Sequence, residues 1–267
     1  VFSVLSSKKI NQLADFMEKS DIDFDAFRWQ EYDKKFNTMK TNLRHIFKSL
    51  NFTTNSKKNS NNVLVLAPHT DDGEFGCGAT IAKFVQEGRR VIYAAFSAAE
   101  QSVLPHLPSD ILRTEVREAT SLLGIKHEDC LILDFEVRRF PENRQSILDQ
   151  MIKLQSTYNP DLVLLPSSHD THQDHQTISQ EGFRAFKKTT MLGYEVPWNN
   201  LEFRTNCFIS FSEDLLKKKI AALNVYESQK HRSYANAEFI RSLAVTRGVQ
   251  IGKSFAECFE VIRWVIK

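Results

Sequence analysis

The four cysteines of this 267-residue chain, Cys77, Cys130, Cys207 and Cys258, form no CxxC pair and lie far apart. That spacing argues against a structural zinc cluster and a disulfide framework, and suits free thiols in a reducing compartment. No apolar run approaches the roughly 20 residues that a membrane-spanning helix needs. The opening stretch, VFSVLSSKKI, has too short an apolar core for a signal peptide, so a cytoplasmic location is expected. Thirty-five basic against 33 acidic side chains leave a net charge of +2, which gives no reason to expect a nucleic-acid or acidic-membrane partner. No internal repeat is visible. Glycine and proline are missing altogether from residues 1–50.

That Gly- and Pro-free segment carries apolar residues at helical spacing (Leu13, Phe16, Met17; Leu43, Ile46, Phe47, Leu50). It reads as a helical N-terminal extension, able to cover the main domain or a neighbouring subunit of a homo-oligomer. Residues 51–62, NFTTNSKKNSNN, are polar without periodicity and read as a linker. From Val63 the pattern changes to alternating strands and helices. Val63–Leu66, Arg90–Phe96, Cys130–Phe135 and Asp161–Leu165 read as buried strands. Helices are expected over Ala79–Glu87, from Ser109 or Asp110 to Leu123, over Asn143–Tyr158, and after the 166–176 loop to about Lys187. Further on, Asn206–Phe211 reads as a strand, Asp214–Tyr226 and Ala235–Gly248 as helices, and Ala256–Ile266 as containing a closing strand. This alternation predicts one α/β domain over 63–267, a Rossmann-like, mostly parallel sheet with helices on both faces.

Two clusters carry the chemistry. The first strand stops at Pro68 and is followed by His69-Thr70-Asp71-Asp72; the fourth is followed by His169-Asp170-Thr171-His172-Gln173-Asp174-His175. Imidazoles and carboxylates together make the donor set of a catalytic zinc site. In open α/β sheets such sites lie outside the carboxyl ends of strands. These residue types alone leave open which of Asp71 and Asp72 would touch a metal and which would take a proton.

The order of motifs resembles the LmbE-like or PIG-L deacetylases, zinc enzymes that remove N-acyl groups from amino sugars. Ala67-Pro68-His69-Thr70-Asp71-Asp72, then Glu74, Gly76, Cys77, Gly78 and Thr80, match the family's opening motif, with Thr70 for a usual proline and Ala79 for a usual glycine. His172-Gln173-Asp174-His175 matches its His-x-Asp-His. Arg113, Glu115, Ala119 and Leu123-Gly124 fit a helix after the second strand. Lys219–Gln229 resembles a late Lys-x-x-Ala-Leu…Ser-Gln helix, with Tyr226 where a histidine is frequent, and Ala256-Glu257-Cys258-Phe259 resembles a closing Ala-Glu-x-Phe. The match runs over about 60–267. The resemblance implies that His69, Asp72 and His175 hold Zn2+. It further implies that Asp71 is the general base on the water, that His172 stabilises the oxyanion and protonates the amine, and that Asp174 orients His172. Arg113 and Glu100 become candidate substrate contacts. The implied substrate is an N-acetylated amino sugar, free, nucleotide-linked or conjugated. An N-formyl sugar, a thiol-conjugate amide, and a non-catalytic sugar-binding module are the rivals.

Plainer readings stand beside these. His69, Asp71 and Asp72 could only cap the next helix, but a cap leaves the second cluster unexplained. Gly76-x-Gly78 lacks the third glycine of a dinucleotide fingerprint. His169 and Asp170 read as polar loop groups outside the metal set. Lys217-Lys218-Lys219 reads as a solvated helix face, and Trp198 as ordinary packing rather than a sugar platform.

Overall fold

A computed structural model describes residues 61–266. The helical extension at 1–50 and all but the end of the 51–62 linker lie outside the described residues. Asn62, assigned to that linker, instead opens the first strand, β1 (Asn62–Ala67). The elements that follow are α1 (Asp72–Gln86), β2 (Arg90–Ala95), α2 (Ile111–Leu122), β3 (Cys130–Ile132), α3 (Arg144–Tyr158), β4 (Leu162–Pro166), α4 (Gln173–Ala185) and β5 (Thr190–Tyr194). The chain then forms β6 (Cys207–Ser210), α5 (Glu213–Asn224), α6 (Ala237–Val249) and β7 (Ala256–Arg263). The strand order is β3-β2-β1-β4-β5-β7-β6. The first five pair in parallel, and β7 pairs antiparallel with both β5 and β6.

The unbroken apolar run of β1 follows from its central place, because both its faces are covered. Val63, Val65 and Ala67 pack with Ile81 of α1, Val116 of α2 and Leu215 of α5. Leu64 and Leu66 face the other way, onto Ile147 and Met151 of α3 and Ile178 of α4. A third cluster joins Phe75 of α1 to Leu216 of α5 and Ile240 of α6.

Three expectations need correction. The strand β5 was not read from sequence: Gly193 interrupts a short segment with no alternation, although its backbone pairs with β4 from Leu162↔Thr190 to Pro166↔Tyr194. β3 is shorter than expected, ending at Ile132. And α1 begins at Asp72, seven residues before the expected start at Ala79, so the glycines lie inside a helix rather than in a turn. Their reason is close packing. A Cβ on Gly73 would sit 2.5 Å from the Tyr93 ring, and one on Gly76 would sit 2.3 Å from the Tyr194 ring.

That early start has a cost in backbone bonding. α1 is kinked at Cys77, whose φ of −149° and ψ of 25° are not helical, and a kink leaves carbonyl and amide groups without helical partners. Glu257 of β7 takes the Ala79 and Thr80 amides at 3.1 and 2.7 Å. Lys219 of α5 donates to the Phe75 carbonyl and to Glu257, both at 2.7 Å. Lys219, expected on a solvated face, is 5% exposed and belongs to the interior. Elsewhere Glu115 of α2 accepts the Ser228 amide and hydroxyl at 3.1 and 2.6 Å. The late motifs therefore tie the helices around the sheet.

Candidate active site

The strand order reverses between β1 and β4, which lie side by side. The segments leaving their carboxyl ends are the two His/Asp clusters, so residues about a hundred apart in sequence meet at the crevice where α/β sheets bind ligands. Pro68 ends β1, His69 follows, and Asp72 begins α1. On the other side His172 is the N-cap of α4, its Nδ1 accepting the Asp174 amide at 3.2 Å, and Asp174 and His175 fill the first turn.

Donor atoms of His69, Asp72 and His175 lie within 4.8 Å of one another. His69 Nδ1 is 3.0 Å and His175 Nε2 is 3.2 Å from the same atom, Asp72 Oδ2. The other nitrogen of each ring meets a second carboxylate: His69 Nε2 is 3.0 Å from Asp174 Oδ2, and His175 Nδ1 is 2.7 Å from Asp170 Oδ2. Such outer carboxylates fix the tautomer and direction of metal-binding histidines. Two imidazoles and a carboxylate, each ring held from behind, fit a zinc ion with a coordination position left open.

Asp170 was set aside as a loop group, and its placement behind His175 is what sequence reasoning missed. It is 1% exposed, and its other oxygen accepts the His172 amide at 2.8 Å. Its burial depends on a distant loop: its backbone forms an isolated bridge to Asn200, between β5 and β6. Asp174 differs from its expected partner. Its carboxylate bonds His69 and the amides of Arg138 (2.6 Å) and Phe140 (3.3 Å); its hydrogen bond to His172 runs through its own amide, while its charge favours protonation of that ring. Arg138 adopts a φ of +69° to present that amide. Glu260 of β7 is a further residue without a sequence signal. It gathers the Ser167 hydroxyl and the Ser168 amide and hydroxyl at 2.9, 2.8 and 2.6 Å, anchoring the loop that leads to Asp170.

Electrostatics divide the two carboxylates of the first cluster. Burial opposes the charge of Asp72, but the His175 and His69 rings beside it hold its carboxyl well below the usual range. Burial and the neighbouring Asp72 charge push the Asp71 carboxyl up to about 6. Asp71 is the N-cap residue of α1, yet its side chain makes no capping hydrogen bond. Burial is outweighed at His69 by Asp72 and Asp174, raising it to about 9, and at His175 by Asp72 and Asp170, raising it to about 10. His172 goes the other way: burial and the neighbouring His175 and His69 lower its pKa.

Glu74, one helical step beyond, is fully buried, and burial pushes its carboxyl up to about 8 despite bonds from Tyr93 and Tyr226. Arg113 and Glu100 pair with each other at 2.7 Å, and Arg113 also reaches Asp134 at 2.5 Å. Trp198 stacks on Tyr234 with centroids 3.7 Å apart, and Phe75 meets both edge-on.

Residues 64–186 match the family model described as "PIG-L: GlcNAc-PI de-N-acetylase". The chain is 28% identical over 173 residues to YaiS, an uncharacterized deacetylase of Escherichia coli (strain K12), covering 62% of this chain and 90% of that protein. It is 23% identical over 249 residues to the diacetylchitobiose deacetylase of Thermococcus kodakarensis, covering 84% and 92%. Among solved structures, the N,N'-diacetylchitobiose deacetylase of Pyrococcus horikoshii shares its fold. The TM-score is 0.65 at 23% identity, over 90% of this chain and 94% of that one.

Proposed function

Residues 64–186 match the PIG-L family model, and from that premise we propose that the protein belongs to this family and is a metal-dependent amide hydrolase removing the acetyl group from an N-acetylated amino sugar or sugar conjugate. The observation that carries this reading is the convergence of His69, Asp72 and His175 with Asp71 and His172 beside them. In the proposal His69 Nδ1, Asp72 Oδ2 and His175 Nε2 hold zinc. A zinc ion there supplies Lewis acidity, polarising the amide carbonyl and making water more acidic.

The chain's own groups supply the rest. Asp71, beside Asp72 and with a side chain that makes no capping bond, takes a proton from the attacking water. His172 Nδ1 accepts a hydrogen bond from the Asp174 amide, so in its neutral form the ring proton sits on Nε2. That Nε2–H donates a hydrogen bond to the developing oxyanion; the proton that Asp71 took from water passes through His172 to the departing nitrogen, so that the ring ends neutral and Asp71 ionised. Water adds to the acetyl carbon, the C–N bond breaks, and acetate and a free amine leave. Asp170 and Asp174 orient the two metal-binding rings.

The test is zinc stoichiometry by elemental analysis together with acetate release from N-acetylated mono- and disaccharides, nucleotide sugars and glycosides, with N-formyl analogues in parallel. Acetate and amine in equal amounts are expected. Formate release alone would move the assignment to the N-formyl rival. Tight binding of acetylated sugars without any turnover by the zinc-loaded protein would point to the non-catalytic one.

A further inference from the structure

The backbone of the first cluster is held from behind by two side chains that the mechanism does not use. The Thr70 carbonyl, on the peptide between His69 and Asp71, accepts the Tyr93 hydroxyl at 2.8 Å and the Tyr226 hydroxyl at 2.8 Å. Tyr93 comes from β2, and Tyr226 lies just beyond α5. Both hydroxyls also meet Glu74, Tyr226 at 2.9 Å and Tyr93 in a short contact. The Gly73 amide reaches the Tyr93 oxygen at 3.2 Å. Tyr93, Glu74 and Tyr226 are all at most 1% exposed. The turn they grip carries His69 on one side and Asp71 and Asp72 on the other. Tyr226 is also the position where the resembling family often has histidine, a ring that can likewise donate a proton.

We propose that Tyr226, acting with Tyr93, is a positioning residue for the reaction: its hydroxyl fixes the Thr70 peptide and so sets the directions of His69 and Asp72. The inference rests on the hydrolase reading for its importance, but the clamp itself is a property of the folded chain. A carbonyl held by two buried hydroxyls cannot rotate away without leaving its own oxygen unpaired in the interior. The flanking ligands then keep their relative geometry while metal and substrate come and go. Because the hydroxyl touches neither, its effect has to pass through the turn.

Tyr226→Phe removes one hydroxyl and keeps the ring. Amide hydrogen exchange on metal-free protein should show faster exchange across residues 68–75, with α3 and α4 unchanged. Zinc affinity, measured by chelator competition, should fall by about tenfold, the lower end of the effect of outer-shell groups on metal sites. kcat on the best acetylated substrate should fall with KM little changed. Tyr226→His, which returns a donor, should recover zinc affinity above the Phe variant; if Tyr226→Phe does not fold, Tyr226→His should fold and show slow exchange in the turn. Unchanged exchange over 68–75 in Tyr226→Phe overturns the clamp. So does faster exchange with zinc affinity within twofold of wild type, or a His variant no better than Phe. If the wild-type protein bound no zinc and released no acetate, the function above would fail, while hydrogen exchange would still decide the clamp.

Discussion

Single atoms decide most of what this site can do. Two neighbouring carboxylates with the same local sequence context are separated because Asp72 Oδ2 lies between two imidazoles, at 3.0 and 3.2 Å, whereas the Asp71 side chain caps nothing. Asp71→Asn is therefore expected to keep fold and zinc while losing about 10²- to 10⁴-fold in kcat, the usual worth of a general base; steady-state kinetics beside elemental analysis checks this. Asp170→Asn should lower zinc affinity by about 10- to 100-fold, since it removes the carboxylate behind His175, and chelator competition reads that loss directly. Thr70 departs from the family's proline and has a buried hydroxyl with no hydrogen-bond partner. Thr70→Val keeps the shape and removes the orphaned oxygen. It should raise stability by about 1 kcal/mol in urea unfolding, the low end of what an unsatisfied buried polar group costs.

At the scale of elements, α1 is the part whose form the interior dictates. Its kink at Cys77 exposes backbone groups that Lys219 and Glu257 satisfy, from α5 and β7. Lys219→Met leaves Glu257 buried without its cation. A loss of about 3–5 kcal/mol is expected by the measure of broken buried pairs, partly recovered in the double variant with Glu257→Gln. Gly76→Ala places a methyl group 2.3 Å from the Tyr194 ring of β5. Forcing that aromatic aside should cost about 1–3 kcal/mol, visible in the same unfolding titrations.

At the scale of the whole molecule, β7 lies between β5 and β6 in the sheet and reaches the site through Glu260. Burial works against its charge, but the Ser168 and Ser167 bonds hold its carboxyl below the ordinary value of 4.5. A depressed folded pKa means that Glu260 contributes stability above the unfolded value and loses it as pH falls through the folded one. The stability gap between the wild type and Glu260→Gln should thus be full at neutral pH and close in acid, as urea unfolding at several pH values would show. Among the described residues no helix is long and apolar enough to cross a membrane.

The sequence by itself determined the parallel strands β1, β2 and β4 and the helices that follow them, because a fully buried strand must be apolar on both faces and these are; it did not mark β5. It also determined that the ends of the first and fourth strands carry imidazoles and carboxylates. Only the tertiary structure decided that those ends are neighbours, since adjacency of β1 and β4 is a property of strand order and not of either segment. It alone drew Asp170 into the site, turned Asp174 toward His69, buried Lys219 and placed Tyr226 against Thr70. Each of these roles is set by what faces a side chain across the fold, and residues distant in the chain supply it.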